Sequence, residues 1–487
     1  MLIDPSRRAC LQIISPFSPV SRGDSWFFKE LLVQEAVSNE LVQHWHLCHC
    51  FKHEPRAAQA LRRGREPLLN LLGKLTHLSP TPISTLETAF EIGRKNGIRY
   101  VLPSGHPGEM GLILKRRTFL QESLFCFLSG GISSPSLFPT SQSRETEGIP
   151  GKAMFYRKGE GWLVQCQLCF RRCPIPDGKR GFCRVRENRG GDLYSLVYGR
   201  PAGLQIDPIE LEPMYHMVPG HKNLCVYTAS CNFRCKHCHN WTISQSAPEQ
   251  IRALAYSPKD IVAEALNQGC QSISHSINEP TVFYEMMYEV VQEAKKKELL
   301  TLCHTNGGIA RTPLLELLKF MDGVTVDLKA FHAKFYQEVS EAKIEPVLET
   351  LKTIREANKH LEIVNLVIPT INDNLEDIKR MGRWIAENLG KETPLHFTRF
   401  SPSYKMTHLP LTPIKTLEEA RGIALAEGLK YVYVGNVVGH PANSTYCPKC
   451  GTMLIERTHF IVLKNLVKKD LCPFCQEKIP GIWKRPM

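Results

Sequence analysis

Between residues 222 and 439 short β-rich apolar runs alternate with amphipathic helical patterns, and this alternation limits the fold more than any other feature of the chain. Strand-like runs fall at 223–228, 271–276, 299–304, 323–328, 362–368, 395–400 and 430–434. Helical patterns between them include 258–268, 281–297, 346–358 and 375–388. Runs that are apolar throughout suit strands buried on both faces, as in a parallel sheet covered by its crossover helices. About six such units make an α/β fold, a full or partial (β/α) barrel, with chemistry expected at the carboxyl ends of the strands. A doubly wound open sheet is the alternative that pattern alone leaves standing.

Cysteine usage says what chemistry such a sheet carries. Of the 18 cysteines, 11 fall in three tight clusters. Disulfide frameworks belong to small secreted chains. This chain has 487 residues, and Met1 to Arg8 lacks the basic-then-apolar order of a signal peptide. Clustered cysteines in a cytoplasmic protein, the expected compartment here, read as metal ligands or redox groups. Cys231, Cys235 and Cys238 form a C-x3-C-x2-C triplet directly after the first strand of the alternating region. Three thiolates on one loop hold three irons of a [4Fe–4S] cubane and leave the fourth open to a ligand. The competing reading is a zinc site completed by His237 or His239.

A second group, Cys166, Cys169, Cys173 and Cys183, sits in a turn-rich knuckle with Pro174, Pro176, Gly178 and Gly181. Four thiols in so short a span suit either a structural zinc or a fully ligated auxiliary Fe–S cluster. The third group pairs Cys447 and Cys450 with Cys472 and Cys475 across a β-rich stretch, the pattern of a zinc ribbon. A denser group, His44, His46, Cys48, His49, Cys50 and His53, matches no metal spacing and reads as a polar helix face.

The triplet and its surroundings resemble the radical S-adenosylmethionine (SAM) superfamily, over about 153–460. Within it the chain is similar to the enzymes of the AmmeMemoRadiSam system, themselves similar to pyruvate formate-lyase activating enzymes. The matching stretches are 214–216 (MYH), 228–245 (TASCNFRCKHCHNWTISQ), 278–284 (NEPTVFY), 305–307 (TNG), 327–330 (DLKA), 367–373 (VIPTIND), 396–406 (HFTRFSPSYKM) and 431–439 (YVYVGNVVG). The resemblance implies a barrel of the radical SAM type with Cys-rich metal-binding appendages. It implies that Cys231, Cys235 and Cys238 hold a [4Fe–4S] cluster. It further implies cleavage of SAM to methionine and a 5′-deoxyadenosyl radical that takes hydrogen from a substrate, a protein in the activating enzymes. Asn278 and Glu279 stand where the superfamily often places a Gly-Gly-Glu element near the methionyl amino group. Asn306, Asp327 and Lys329 end the next strands, with Lys329 toward the methionyl carboxylate, and Thr370 and Asp373 fall where ribose contacts are expected. His237 replaces the Phe or Tyr common before the third cysteine.

The net charge of +13 keeps nucleic acid open as a partner, whether for a radical enzyme modifying tRNA or for a non-catalytic zinc-ribbon protein. A radical enzyme also needs an electron donor such as flavodoxin or ferredoxin. No membrane partner is expected, since no apolar run approaches a membrane span. The chain divides into an extension at 1–150, a knuckle at 151–221, the barrel at 222–440 and a ribbon tail at 441–487. The extension contains a copy at 74–101 of the helix–strand unit at 405–432, about half identical, and a Ser, Gly and Pro-rich linker at 129–150. One such unit alone cannot build a core, so the extension is expected to be dispensable for the chemistry.

Overall fold

The computed structural model describes residues 151–484, all within one compact unit. The extension, its repeat copy at 74–101, the histidine and cysteine group at 44–53 and the linker lie outside the described residues.

An eight-stranded sheet dominates. Its strands are β7 (Gly203–Pro208), β8 (Lys222–Tyr227), β9 (Ser272–His275), β10 (Leu300–Thr305), β11 (Gly323–Asp327), β12 (His360–Val367), β13 (Leu395–Arg399) and β14 (Val432–Gly435). From β8 to β14 they lie side by side in sequence order and every pair is parallel. A doubly wound sheet would reverse its strand order partway, so the sequential order decides for a singly wound partial barrel. The sheet ends at β14 on one side and on the other at β7, which pairs antiparallel with β8. That edge strand precedes residue 222, so the segment before the alternating region supplies a border of the main sheet.

The crossovers carry α1 (Trp241–Ser244), α2 (Pro258–Asn267), α3 (Tyr284–Lys295), α4 (Arg311–Leu318), α5 (Ala333–Ser340), α6 (Glu345–Glu356), α7 (Leu375–Asn388) and α8 (Ile414–Ala426). Local sequence explains their starts. Ser257 caps α2 by accepting from Asp260 N while Pro258 opens the first turn. Asn374 caps α7 by accepting from Glu376 N and Asp377 N, two acidic residues that suit a helix N-terminus. Alternate sheet residues, among them Val324, Val326, Ile363, Val367, Phe397 and Val434, are buried beneath these helices. Each such side chain contributes about 1.5–3 kcal/mol by leaving water.

Two small sheets precede the barrel. One joins β1 (Gly151–Lys152), β5 (Arg186–Arg189) and β6 (Asp192–Ser195); the other joins β2 (Tyr156–Lys158), β3 (Val164–Cys166) and β4 (Pro174–Ile175). After the barrel, β15 (Thr445–Tyr446), β16 (Met453–Thr458) and β17 (Ile461–Asn465) form an antiparallel ribbon. Among the described residues no helix is long and apolar enough to cross a membrane.

Candidate radical SAM site

The loop leaving β8 carries Cys231, Cys235 and Cys238 at the carboxyl edge of the sheet, and neighbouring strand ends brace it. Asn278, after β9, accepts from Thr228 N at 3.1 Å and donates to Ser230 O at 2.8 Å. Asn306, after β10, donates to Asn232 Oδ1 at 2.8 Å and approaches Cys231 Sγ at 3.6 Å. Phe233 N donates to Cys231 Sγ at 3.3 Å, and Cys235 Sγ lies 3.3 Å from Ser340 Oγ. Burial pushes the Cys238 thiol up to about 11 and the Cys231 thiol well above its usual value. Ionising them therefore calls for a cation in the proton's place.

Glu279 is buried within this frame. Its Oε1 accepts from Thr281 N at 3.0 Å, Thr281 Oγ1 at 2.5 Å and Thr305 Oγ1 at 2.7 Å, and its Oε2 accepts from Asn306 N at 2.8 Å. The first task of the carboxylate is thus to fix the strand ends, with lone-pair capacity left on Oε2. Burial raises its pKa, and the four donors pull against that rise.

Asp327 and Lys329 pair at 2.8 Å at the end of β11. Burial would raise Asp327, yet Lys329 and His304 hold it well below the usual carboxylate range. His304 lies 3.2 Å from Asp327 and 3.8 Å from Glu212. Burial alone would lower this imidazole, but the two carboxylates overcome it and raise His304 to about 10. Sequence reasoning missed His304 and Glu212; the polar His304 inside an apolar strand run was the available signal.

Thr370 is exposed and its hydroxyl donates to the adjacent Pro369 O. Asn372, between the two residues named for the ribose, is the buried member of that turn: it donates to Lys329 O and Leu366 O and accepts from Ile368 N. Asp373 is half-buried beside it. The structure therefore joins Glu279, Asn306 and Cys231 through direct hydrogen bonds, ties Asn278 to Thr228 and Ser230 of the cysteine loop, links the Asp327–Lys329 pair to Asn372, and sets Thr370 outside that network. Left-handed backbone recurs at the strand ends, at Ser230 (φ 75°), Ile277 (φ 66°), Gly307 (φ 73°) and Thr370 (φ 66°). For β-branched Ile277 and Thr370 this conformation is strained, a feature that concentrates at functional sites. Gly308 is required by close approach, because a Cβ there would stand 2.8 Å from the Phe233 ring and 3.0 Å from Asn306 Oδ1.

His237 is buried with Nδ1 unpartnered, and burial lowers its pKa to about 3. His239 Nε2 lies 3.0 Å from Ser401 O. Neither joins the triplet in a compact donor set. Among the described residues, the group of three or more ligating side chains whose donor atoms all lie within 4.8 Å of one another is Cys447, Cys450, Cys472 and Cys475. In this tail group Cys447 and Cys475 Sγ are 3.5 Å apart and Cys450 and Cys472 Sγ 3.8 Å. Four sulfurs about 2.3 Å from one tetrahedral ion stand roughly 3.8 Å apart. The tail fits one ion; the three thiols of the triplet are not gathered that tightly.

Residues 225–385, from within β8 to within α7, match the family model described as the radical SAM superfamily. The chain belongs to the radical SAM superfamily. An uncharacterized protein of Methanocaldococcus jannaschii is 44% identical to this radical SAM protein over 332 residues, 67% of this chain and 98% of its own. The pyruvate formate-lyase-activating enzyme of Staphylococcus epidermidis is 23% identical over 225 residues, 42% of this chain and 87% of its own. Among solved structures, Streptococcus suis SuiB bound to S-adenosylmethionine aligns at 15% identity with a TM-score of 0.37, over 49% of this chain and 56% of that one. A [4Fe–4S] cluster and SAM are the cofactors of this radical SAM enzyme, and its tail quartet has the compactness to hold one metal ion.

Proposed function

We propose that Cys231, Cys235 and Cys238 ligate the catalytic [4Fe–4S] cluster and that the enzyme is of the activating type, acting on a protein substrate. The placement of the three thiols carries this reading: they share the loop at the carboxyl end of the first parallel strand, with Asn306 against Cys231. When bound, the reduced cluster supplies the electron that breaks a C–S bond of SAM. The chain's own residues hold the reactants. Lys329 meets the methionyl carboxylate in a charge-assisted bond, and Glu279 offers its remaining Oε2 lone pair to the methionyl ammonium while fixing Asn306. Asn278 keeps the cysteine loop against β9. Thr370 and Asp373 face the ribose from the turn after β12. The tail quartet takes zinc, as paired C-P-x-C turns favour.

The likeness to the pyruvate formate-lyase-activating enzyme supports the substrate class. On this reading a flavodoxin or ferredoxin delivers the electron in the cytoplasm. Nucleic-acid binding through the ribbon and basic charge, and tRNA modification, which rests on charge, are not favoured. The test is spectroscopic. After anaerobic reconstitution and reduction, adding SAM should shift the electron paramagnetic resonance of the cluster, and the signal that shifts should vanish in Cys231→Ala/Cys235→Ala/Cys238→Ala. A SAM-responsive signal surviving in that variant overturns the assignment.

A further inference from the structure

The knuckle cysteines do not resemble the tail quartet. Cys166, Cys169, Cys173 and Cys183 line one pocket, together with Arg171, Arg186 and Asn232. Four sulfurs around one zinc would close to roughly 3.8 Å of each other and leave no cavity between them. In the tail they do so, and among the described residues no other group of ligating side chains does.

Two buried donors mark what the cavity takes. Arg186 is 1% exposed; its terminal nitrogens are used by Glu285 and by Met154 O, while its Nε–H has no partner. Asn232 is also 1% exposed, and its Nδ2 has no partner although its Oδ1 accepts from Asn306. A buried unpaired donor costs about 1–3 kcal/mol, so both residues call for an anionic, acceptor-rich occupant. The knuckle is also docked on the cysteine loop and on the turn after β10. Ser230 Oγ donates to Cys183 O at 2.5 Å, Arg171 Nε to Asn232 O at 2.7 Å, and Phe170 N to Gly308 O at 3.1 Å.

We propose that Cys166, Cys169, Cys173 and Cys183 hold a second, fully ligated [4Fe–4S] cluster, with Arg186 and Asn232 donating to its sulfurs. All four irons are closed by protein thiolates, so this cluster does not bind SAM. A cubane with four thiolates offers bridging sulfides to the two donors, which a single zinc does not.

The full chain carrying Cys231→Ala/Cys235→Ala/Cys238→Ala tests this independently of the catalytic assignment. Reconstituted anaerobically with ferrous iron and sulfide, it should retain about four iron and four sulfide per chain with a [4Fe–4S] Mössbauer spectrum. The same variant further changed at Cys169→Ala/Cys173→Ala should lose them. A triple variant that binds zinc at the knuckle, or no metal there, overturns the proposal. Should the triple variant fail to fold, the wild-type protein decides: about eight iron with eight sulfide per chain supports two cubanes, and about four iron overturns the second.

Discussion

Glu279 shows how a carboxylate can stand out in a sequence while its surroundings do not. The Asn-Glu-Pro string marks the position, but only the fold shows three donors at Oε1 and Asn306 N at Oε2. Glu279→Gln turns one acceptor into an amide donor facing protein donors, so stability should fall by about 1–3 kcal/mol in equilibrium denaturation. An unchanged midpoint would mean that the carboxylate does not organise the strand ends. His304 makes a pH prediction. Its folded pKa, raised to about 10 by Asp327 and Glu212, lies above the ordinary value near 6.5. The stabilisation is therefore fully present below about pH 6.5 and is lost as pH rises through about 10. Thermal midpoints should decline over that window, and His304→Gln should flatten the decline; a variant with the wild-type slope would remove His304 as its source. Neither Glu212 nor this triad was readable beforehand, since residues more than 90 positions apart meet only when β10 lies across the loop after β7.

Among the elements, the strands of the barrel were the most legible because buried parallel strands are apolar throughout, whereas the polar residues lining the concave face carry no period of their own. The grouping of the four tail cysteines was legible, but the attachment of the ribbon was not. Arg457 on β16 is fully buried, donates to Tyr215 O at 2.7 Å and to Thr445 Oγ1 at 2.8 Å, and faces Glu210 at 3.4 Å. Ile482 N donates to His216 O and Val218 N to Ile482 O, both at 2.7 Å. The tail is thus built into the base of the barrel, and the cysteine spacing alone could not reveal it. Arg457→Met leaves Glu210 buried without its cation and should destabilise the protein by about 3–5 kcal/mol. Denaturant unfolding followed by barrel tryptophan and by far-ultraviolet dichroism should report a common shift. A loss confined to the tail would show that the two elements unfold separately.

For the molecule as a whole, strand order, cysteine placement and family membership converge on one catalytic end of one partial barrel. The triplet after the first strand was readable because ligand spacing is local in sequence. The cavity beneath the knuckle was not, because its lining joins 166–186 to Asn232, Thr281 and Val282 from the barrel. The central claim is that the barrel uses the Cys231, Cys235 and Cys238 loop to cleave SAM. The most direct measurement incubates the anaerobically reconstituted full chain with SAM and a strong reductant and quantifies 5′-deoxyadenosine. Wild type should form it with methionine in equal amounts, and Cys231→Ala/Cys235→Ala/Cys238→Ala should form none above the reductant-only background. Equal product from both proteins, or none from a wild type that holds its full iron and sulfide, would contradict the account.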